Sequence, residues 1–339
     1  MRKVFWAVST CVVMSACGGG GGGASTDSVS VVPGTPAPNP TPPTPAPTPT
    51  PTATLTTGEI KPTSDAAFIS ATMDLVTSAS IANQTAPQTT AGTTSNRSIT
   101  IDTPQFFGGY SLQGGYKLSD ALNSAIFGLT QLVSDTTSQM ITPTVLFKSV
   151  TGTIEDYLAV YKYTVITSSG KGQGTFTPKY GGVGGWQHTN VGSSSKQTRL
   201  NYFAYGPTTS RDAMPKTGIV KFTLLGSGNF ATDDSLWFAS IFDTMTVDFG
   251  SGTFSGSIGQ TGQNFFADRS GGLVSVRVSG IIVDSGASGS VNSDVATMRG
   301  QYRLRFVGPN ADELILTYIA DDTRETMVGA AVGVRNPLL

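Results

Sequence analysis

Cysteine and histidine are almost missing from this chain of 339 residues, which has two of the first and one of the second. Both cysteines, Cys11 and Cys17, lie at the extreme N-terminus. A chain processed there keeps no pair to oxidise, which excludes a disulfide framework and a cysteine-based metal site. The lone histidine, His188, sits in a Gly-rich stretch beside Trp186 and is expected to be a solvated loop side chain. It leaves no His-rich metal site, and a Ser-His-Asp triad would have to rest on it alone. No Gly-x-Ser-x-Gly elbow occurs, and Ser193-Ser194-Ser195 reads as loop. Gly181-Gly182-Val183-Gly184-Gly185 lacks the lysine and the following helix of a phosphate loop. These absences point to a protein that is not an enzyme, with no catalytic residue, no metal and no cofactor.

Charge is scarce too: 13% of residues are charged and the formal net charge is −1. Loss of Arg2 and Lys3 with a signal peptide takes the 21 basic residues to 19 against 22 acidic ones, or −3. Nothing in that balance attracts nucleic acid. Long apolar runs are also absent. The stretch Val4 to Met14, about eleven residues, is too short for a bilayer span, which needs about twenty, but suits a secretory signal after the basic Arg2-Lys3.

That segment ends Met14-Ser15-Ala16-Cys17, with two small residues directly before a cysteine. It resembles a bacterial lipobox, which implies cleavage before Cys17 and attachment of a diacylglycerol to its sulfur. Several acyl chains, at roughly 0.8 kcal/mol per buried methylene, make an effectively permanent membrane anchor. The alternative is an ordinary signal peptide and a soluble secreted product. The sequence that follows favours a tether: glycines from Gly18 to Gly23, then a Pro/Thr tract from Pro33 to Pro51. Glycines give flexible coil, whereas Pro-Thr repeats favour extended polyproline II and span on the order of 50–60 Å. Gly18 after the cysteine resembles the outer-membrane address of enterobacterial lipoproteins, where Asp at that place retains the protein in the inner membrane.

Glycine, by contrast, is abundant at 41 residues, and Ser and Thr recur throughout, a composition of strands and turns rather than long helices. Four parts are expected: a signal peptide at 1–17, a disordered tether at 18–58, a β-rich segment at 59–205 and a β-domain at 206–339. Residues 64–80 are undecided between helix and strand. From Lys117 to Val133, Leu118, Leu122, Ile126, Leu129 and Val133 fall near one helical face, which predicts a short helix with Ser119 as N-cap. Beyond it the pattern alternates. Tyr157, Ala159, Tyr161 and Tyr163 share one face of a strand, and Leu200 to Tyr205 forms another before Gly206-Pro207.

After Gly218, strand-like runs recur at Ile219–Leu225, Leu236–Phe242, Met245–Phe249, Thr253–Ile258, Phe265–Ala267, Leu273–Val283, Ala296–Phe306, Glu313–Ile319 and Met327–Val334. Met245, Val247 and Phe249 lie on one face, and Gly250-Ser251-Gly252 reads as a hairpin turn into Phe254. In Tyr302-Arg303-Leu304-Arg305-Phe306 the arginines point away from the core. About eight such strands suit an antiparallel up-and-down β-barrel or a sandwich. A barrel of that size is largely filled by its own side chains.

Three stretches resemble the β-barrel repeat of the transferrin-binding protein B-like lipoproteins. They are Phe203-Ala204-Tyr205-Gly206-Pro207-Thr208 with Met214-Pro215-Lys216-Thr217-Gly218; the run from Met245 to Gly256; and Phe306-Val307-Gly308-Pro309-Asn310-Ala311-Asp312-Glu313-Leu314. The tail Gly329-Ala330-Ala331-Val332-Gly333-Val334-Arg335 is similar to that family's closing strand. The resemblance implies an eight-stranded barrel at 206–339 with a handle-like β-segment before it, and a binding role at the cell surface. One departure is Leu314-Ile315-Leu316, which stands where the family has Gly-Gly after the glutamate. Nothing here matches the long loops that recognise transferrin, so transferrin binding is not implied. The matching residues read as structural.

Two readings follow. In the first, loops of a surface or periplasmic lipoprotein contact a protein, a small solute or an iron/haem-related ligand, with exposed apolar side chains as the mark. In the second, the barrel is an envelope spacer with uniformly polar faces and no solute ligand. Trp186 and Tyr205 are candidates for exposed anchors. Trp237, in an apolar strand, is expected in the core. Asp233-Asp234 and Asp321-Asp322 are expected as turn residues, since a calcium loop needs more oxygen ligands.

Overall fold

The structure, a computed structural model, describes residues 66–336 except 79–93, 102–106, 112–114, 121, 129–130, 136–142, 162, 164, 170–171, 233–235, 265–268, 294–296 and 323. The expected signal and tether segments, Asp233-Asp234 and the run Phe265–Ala267 lie outside the described residues. Strands are numbered β1 to β20 along the chain. Seven of them form one antiparallel sheet in the order β2-β1-β12-β11-β8-β7-β6. Their bounds are β1 Ala66–Ser78, β2 Thr94–Ile101, β6 Leu132–Asp135, β7 Pro143–Thr151, β8 Ile154–Tyr161, β11 Gly182–Val191 and β12 Ser195–Pro207. A three-stranded sheet, β3 Phe107–Ser111, β4 Gly115–Ser119 and β5 Ser124–Phe127, accompanies it, as does the hairpin of β9 Val165–Ser169 and β10 Gly172–Phe176.

The segment left open at 64–80 is thus strand β1. The helix expected from Lys117 to Val133 is instead β4, a turn, β5 and β6. Asp120 makes that turn: its carboxylate accepts the N–H groups of Leu122 at 2.8 Å and Asn123 at 2.7 Å. Leu118 is 1% exposed whereas Leu122 and Ile126 are 75% and 68% exposed, so the spacing that mimics a helical face joins residues of opposite faces. An aspartate offering its backbone a local turn competes with helix formation.

The remaining strands close on themselves as an eight-stranded antiparallel barrel: β13 Ile219–Ala231, β14 Leu236–Asp248, β15 Thr253–Asn264, β16 Arg269–Ile281, β17 Gly286–Ser293, β18 Arg299–Val307, β19 Glu313–Asp321 and β20 Thr326–Arg335. The barrel alternative, not the sandwich, is realised. Two of the expected runs, Leu236–Phe242 and Met245–Phe249, are halves of β14, while β17 was not among the expected runs. The polar Asp243-Thr244 that divides β14 in sequence is part of the wall. The Asp243 carboxylate accepts the Ser257 hydroxyl at 2.7 Å and the Gly259 N–H at 2.8 Å, bridging β14 to β15. β17 reads Gly-Ala-Ser-Gly-Ser-Val-Asn-Ser, whose one large apolar side chain, Val291, is buried.

Alternation otherwise places side chains as expected. Met245, Val247 and Phe249 are buried in the barrel, and Asp248 caps the turn by accepting the Gly250 N–H at 2.8 Å. Tyr302, Leu304 and Phe306 are buried between the partly exposed Arg303 and Arg305. The interior is packed: Phe222, Phe254, Tyr302, Phe306 and Tyr318 share it with Leu, Met and Val side chains. Met214 joins that cluster from the connector before β13, and Gly218 takes φ +99° to turn into the strand. Trp237 packs against the same cluster, half-buried.

The seven-stranded sheet covers one side of the barrel wall. Ile69, Met73, Leu200 and Tyr202 pack with Leu225, Ile315, Val328 and Val332. Tyr163 and Tyr202 pair with the outward polar residues of β13: the Tyr163 and Ser227 hydroxyls lie 2.7 Å apart, and Tyr202 donates to Asn229 at 2.5 Å. Burial pushes both phenols well above their ordinary pKa, so they stay protonated. On the inner side of this wall β13 and β20 pass closely along their own seam, and a Cβ on Gly226 would strike the Ala330 carbonyl oxygen. Gly226→Ala is therefore expected to destabilise the chain by about 1–3 kcal/mol. A urea series should show a lower midpoint at unchanged slope. A midpoint equal to wild type would mean that the seam has slack.

Candidate functional site

β1, β12, β11 and β8 run side by side, and their pairing brings four distant residues into one cross-strand row. Asp74 faces Arg199, Arg199 faces His188 and His188 faces Asp156. Arg199 forks onto Asp74 at 2.6 and 2.8 Å and reaches Asp120 of the β4–β5 turn at 3.3 Å. These carboxylates hold its guanidinium above its usual pKa, the Asp74 hydrogen bonds most of all. Asp156, 7% exposed, takes the Trp186 indole N–H at 2.9 Å and lies 2.8 Å from the His188 Nδ1. Thr72 donates to Asn201 at 2.6 Å in the adjacent row. The row borders an aromatic patch on the sheet face turned from the barrel, where Trp186, Phe203, Tyr205 and Phe147 pack with Tyr116 and Phe127.

This corrects three expectations. His188 is not in a loop but in β11, bound to Asp156. Trp186 and Tyr205 are not exposed anchors: each is 1% exposed. The glycines beside them explain why. A Cβ on Gly182 would meet the Tyr205 ring, and one on Gly184 the Phe203 ring, so both rings lie flat across the strand next to them. Ser193-Ser194 does lie in the β11–β12 turn, and Asp322 is a turn residue, accepting the N–H groups of Arg324 and Glu325 at 2.8 Å each. Asp74, Asp120, Asp156 and Arg199 carried no signal beyond an aspartate inside the apolar run of β1. Among the described residues no group of acidic, His and Cys side chains is arranged to hold a metal ion.

Glu313, the first residue of β19 at the motif-bearing corner, is a second polar centre. Its carboxylate accepts three backbone N–H groups, from Lys179 at 2.6 Å, Tyr180 at 3.0 Å and Gly181 at 2.7 Å. It thereby binds the entry to β11 to the barrel. Beside it Gly308, at φ +86°, donates its N–H to the Pro207 carbonyl at 3.0 Å. These motif residues are structural. Large apolar side chains do stand exposed elsewhere: Ile219, Phe242, Ile281 and Val283 on the barrel, and Leu122 and Ile126 on the three-stranded sheet.

No family model matches the chain, and neither does any curated protein. Solved structures similar to it include transferrin binding protein B of Neisseria meningitidis, 14% identical with a TM-score of 0.39 over 65% of this chain. This chain spans only 39% of that protein's length. HpuA of Kingella denitrificans, solved with human haemoglobin, is 11% identical with a TM-score of 0.36, over 81% of this chain and 89% of that one. The N-lobe of lactoferrin binding protein B of Moraxella bovis is 12% identical with a TM-score of 0.33, over 52% and 79%.

Two outcomes test these centres. Asp156→Ala strands the buried Trp186 indole N–H and should cost about 1–3 kcal/mol in denaturant unfolding; a neutral result would mean that the indole finds another acceptor. At Glu313, burial raises the pKa and the three N–H donors pull it back only in part. The folded chain thus binds this proton more tightly than the unfolded chain does. The stability that Glu313 contributes is full below the ordinary glutamate pKa, about 4.3, and is lost as pH rises through its folded pKa. The stability of wild type relative to Glu313→Gln should fall over that interval in parallel urea titrations. A difference that grows with pH contradicts this.

Proposed function

We propose that the chain is a lipoprotein anchored through Cys17 in the outer membrane, which presents the barrel and its handle-like sheet on the 18–58 tether as a binding module. The ligand is a protein or an iron/haem-related molecule taken from outside the barrel, not into it. One observation carries this reading. The barrel interior is filled by its own side chains, while Ile219, Phe242, Ile281 and Val283 stand 55–70% exposed on its outside. A spacer head with no ligand would keep those faces polar, because exposed apolar side chains invite association. The motif resemblance supplies the ligand class, and transferrin, lactoferrin and haemoglobin, the proteins named with the similar structures, are the first to try. The proposed domains are those of the sequence, with the handle at 59–205 and the barrel at 206–339.

Mass spectrometry of the mature N-terminus should find Cys17 acylated, and Cys17→Ser should move the protein from the membrane to the soluble fraction. A mature chain that is unmodified and freely soluble would end the anchor. Washed cells carrying the protein should bind labelled haemoglobin, transferrin or lactoferrin saturably, above cells that lack it. Lack of saturable binding to all three overturns the ligand class.

A further inference from the structure

The exposed apolar side chains of the barrel are not spread evenly. Ile219, Asp248, Thr253 and Ile281 pair in one cross-strand row, and each is the first or last residue of its strand. At about 4.8 Å between neighbouring strands, the row is roughly 14 Å long. Ile219 and Ile281, at its two ends, are both 70% exposed. Val283, 65% exposed, extends it outward, while Ile282 packs against the barrel core. Asp248 is engaged by its own hairpin, accepting the Gly250 and Ser251 N–H groups. The next outward row, Lys221, Thr246, Ser255 and Ser279, holds three hydroxyls and one cation. Among the described residues, the barrel's other exposed large apolar side chain, Phe242, stands in mid-strand.

The same end of the barrel receives the chain from its N-terminal side. Ala66, the first residue of β1, pairs with Pro207, whose carbonyl takes the Gly308 N–H at the β18–β19 corner. Contacts run on around the rim from that corner. Gly286 pairs with Arg305 of β18 and bridges to Val283. Ile282 donates its N–H to Gly252, and Phe249 donates its own to Gly218. The strand that follows the expected 18–58 tether therefore starts at the rim on which the apolar row lies. The connector along this rim adds the exposed cations Arg211, 3.5 Å from Asp284, and Lys216.

We propose that this arc of the rim rests on the lipid surface in which the chain is anchored. Ile219, Ile281 and Val283 enter the boundary between headgroups and acyl chains. Lys216 and Lys221 meet the lipid phosphates beside them. Three side chains bury little area, so the contact is weak by itself. A tether joined at this rim keeps it beside the bilayer at high effective concentration, which makes a weak contact sufficient. A second copy of the chain would have no need of a row that shares its rim with the tether. The inference rests on the Cys17 anchor proposed above. It leaves Phe242, with Leu122 and Ile126 of the three-stranded sheet, to the protein or iron/haem-related ligand.

The test uses the mature chain with Cys17→Ser and an N-terminal histidine tag, held on phosphatidylethanolamine–phosphatidylglycerol vesicles by a nickel-chelating lipid. That chain has no cysteine, so a new one takes a fluorescent label at a single place. Labels at Ile219→Cys and Ile281→Cys should shift to the blue and be quenched severalfold more by nitroxide-labelled lipid than a label at Val150→Cys. Val150 is 54% exposed at the opposite end of the seven-stranded sheet. Adding Ile281→Ser with Val283→Ser should bring the quenching at position 219 down to the level at 150, with the unfolding temperature unchanged. Equal quenching at 150, 219 and 281 overturns the proposal. A blue shift without quenching that grows with protein density on the vesicle also overturns it, since a second copy then covers the row. The tag stands in for the acyl chains, so either result is independent of whether Cys17 is acylated.

Discussion

Burial on both faces of one stretch of barrel wall is the constraint on which the rest of the structure depends. β13, β19 and β20 face the barrel core on one side and the seven-stranded sheet on the other, and almost every residue of the three is buried from Phe222 onward. Such strands are apolar on both sides, unlike strands with one wet face. That explains Leu314-Ile315-Leu316, where the motif resemblance leads one to expect glycines: Leu314 and Leu316 fill the core while Ile315 meets the sheet. Ala330, on the sheet side of β20, is the small residue between the two layers, and the Tyr163–Ser227 and Tyr202–Asn229 hydrogen bonds satisfy polar groups trapped between them.

Glu313 and Gly308 belong to the same constraint. A carboxylate out of water costs several kcal/mol unless its lone pairs are used, and three backbone N–H groups of the β11 approach use them. The corner thus fixes where the sheet leaves the barrel.

Alternation made β14, β15, β16 and β18 legible, because each has one wet and one dry face: Met245 and Val247 against Thr246, Leu304 against Arg303 and Arg305. It failed at β17, whose only large inward side chain is Val291, and at 117–133, where two short strands imitate a helical repeat. The polar row on the sheet was not legible at all. Asp74 and Arg199 meet through strand pairing across more than a hundred positions of sequence, and no local pattern marks such a pair. Net charge hid a further feature. A formal total of −1 suggests no polarity, yet the four consecutive strands β15 to β18 contain no acid while β16 and β18 hold five arginines.

The first strand of the barrel is hydrogen-bonded to the last, β13 to β20, so the wall cannot close until the C-terminal residues are in place. Non-local closure of this kind is slow. Until it happens the sheet formed by the earlier strands has nothing over Ile69, Met73 and Leu200. A chain synthesised N-terminus first passes through a stage in which that greasy surface is bare. Truncation by even the final ten residues would freeze it there, which makes premature termination near the end of this protein a hazard to its neighbours as well as a loss of its own fold.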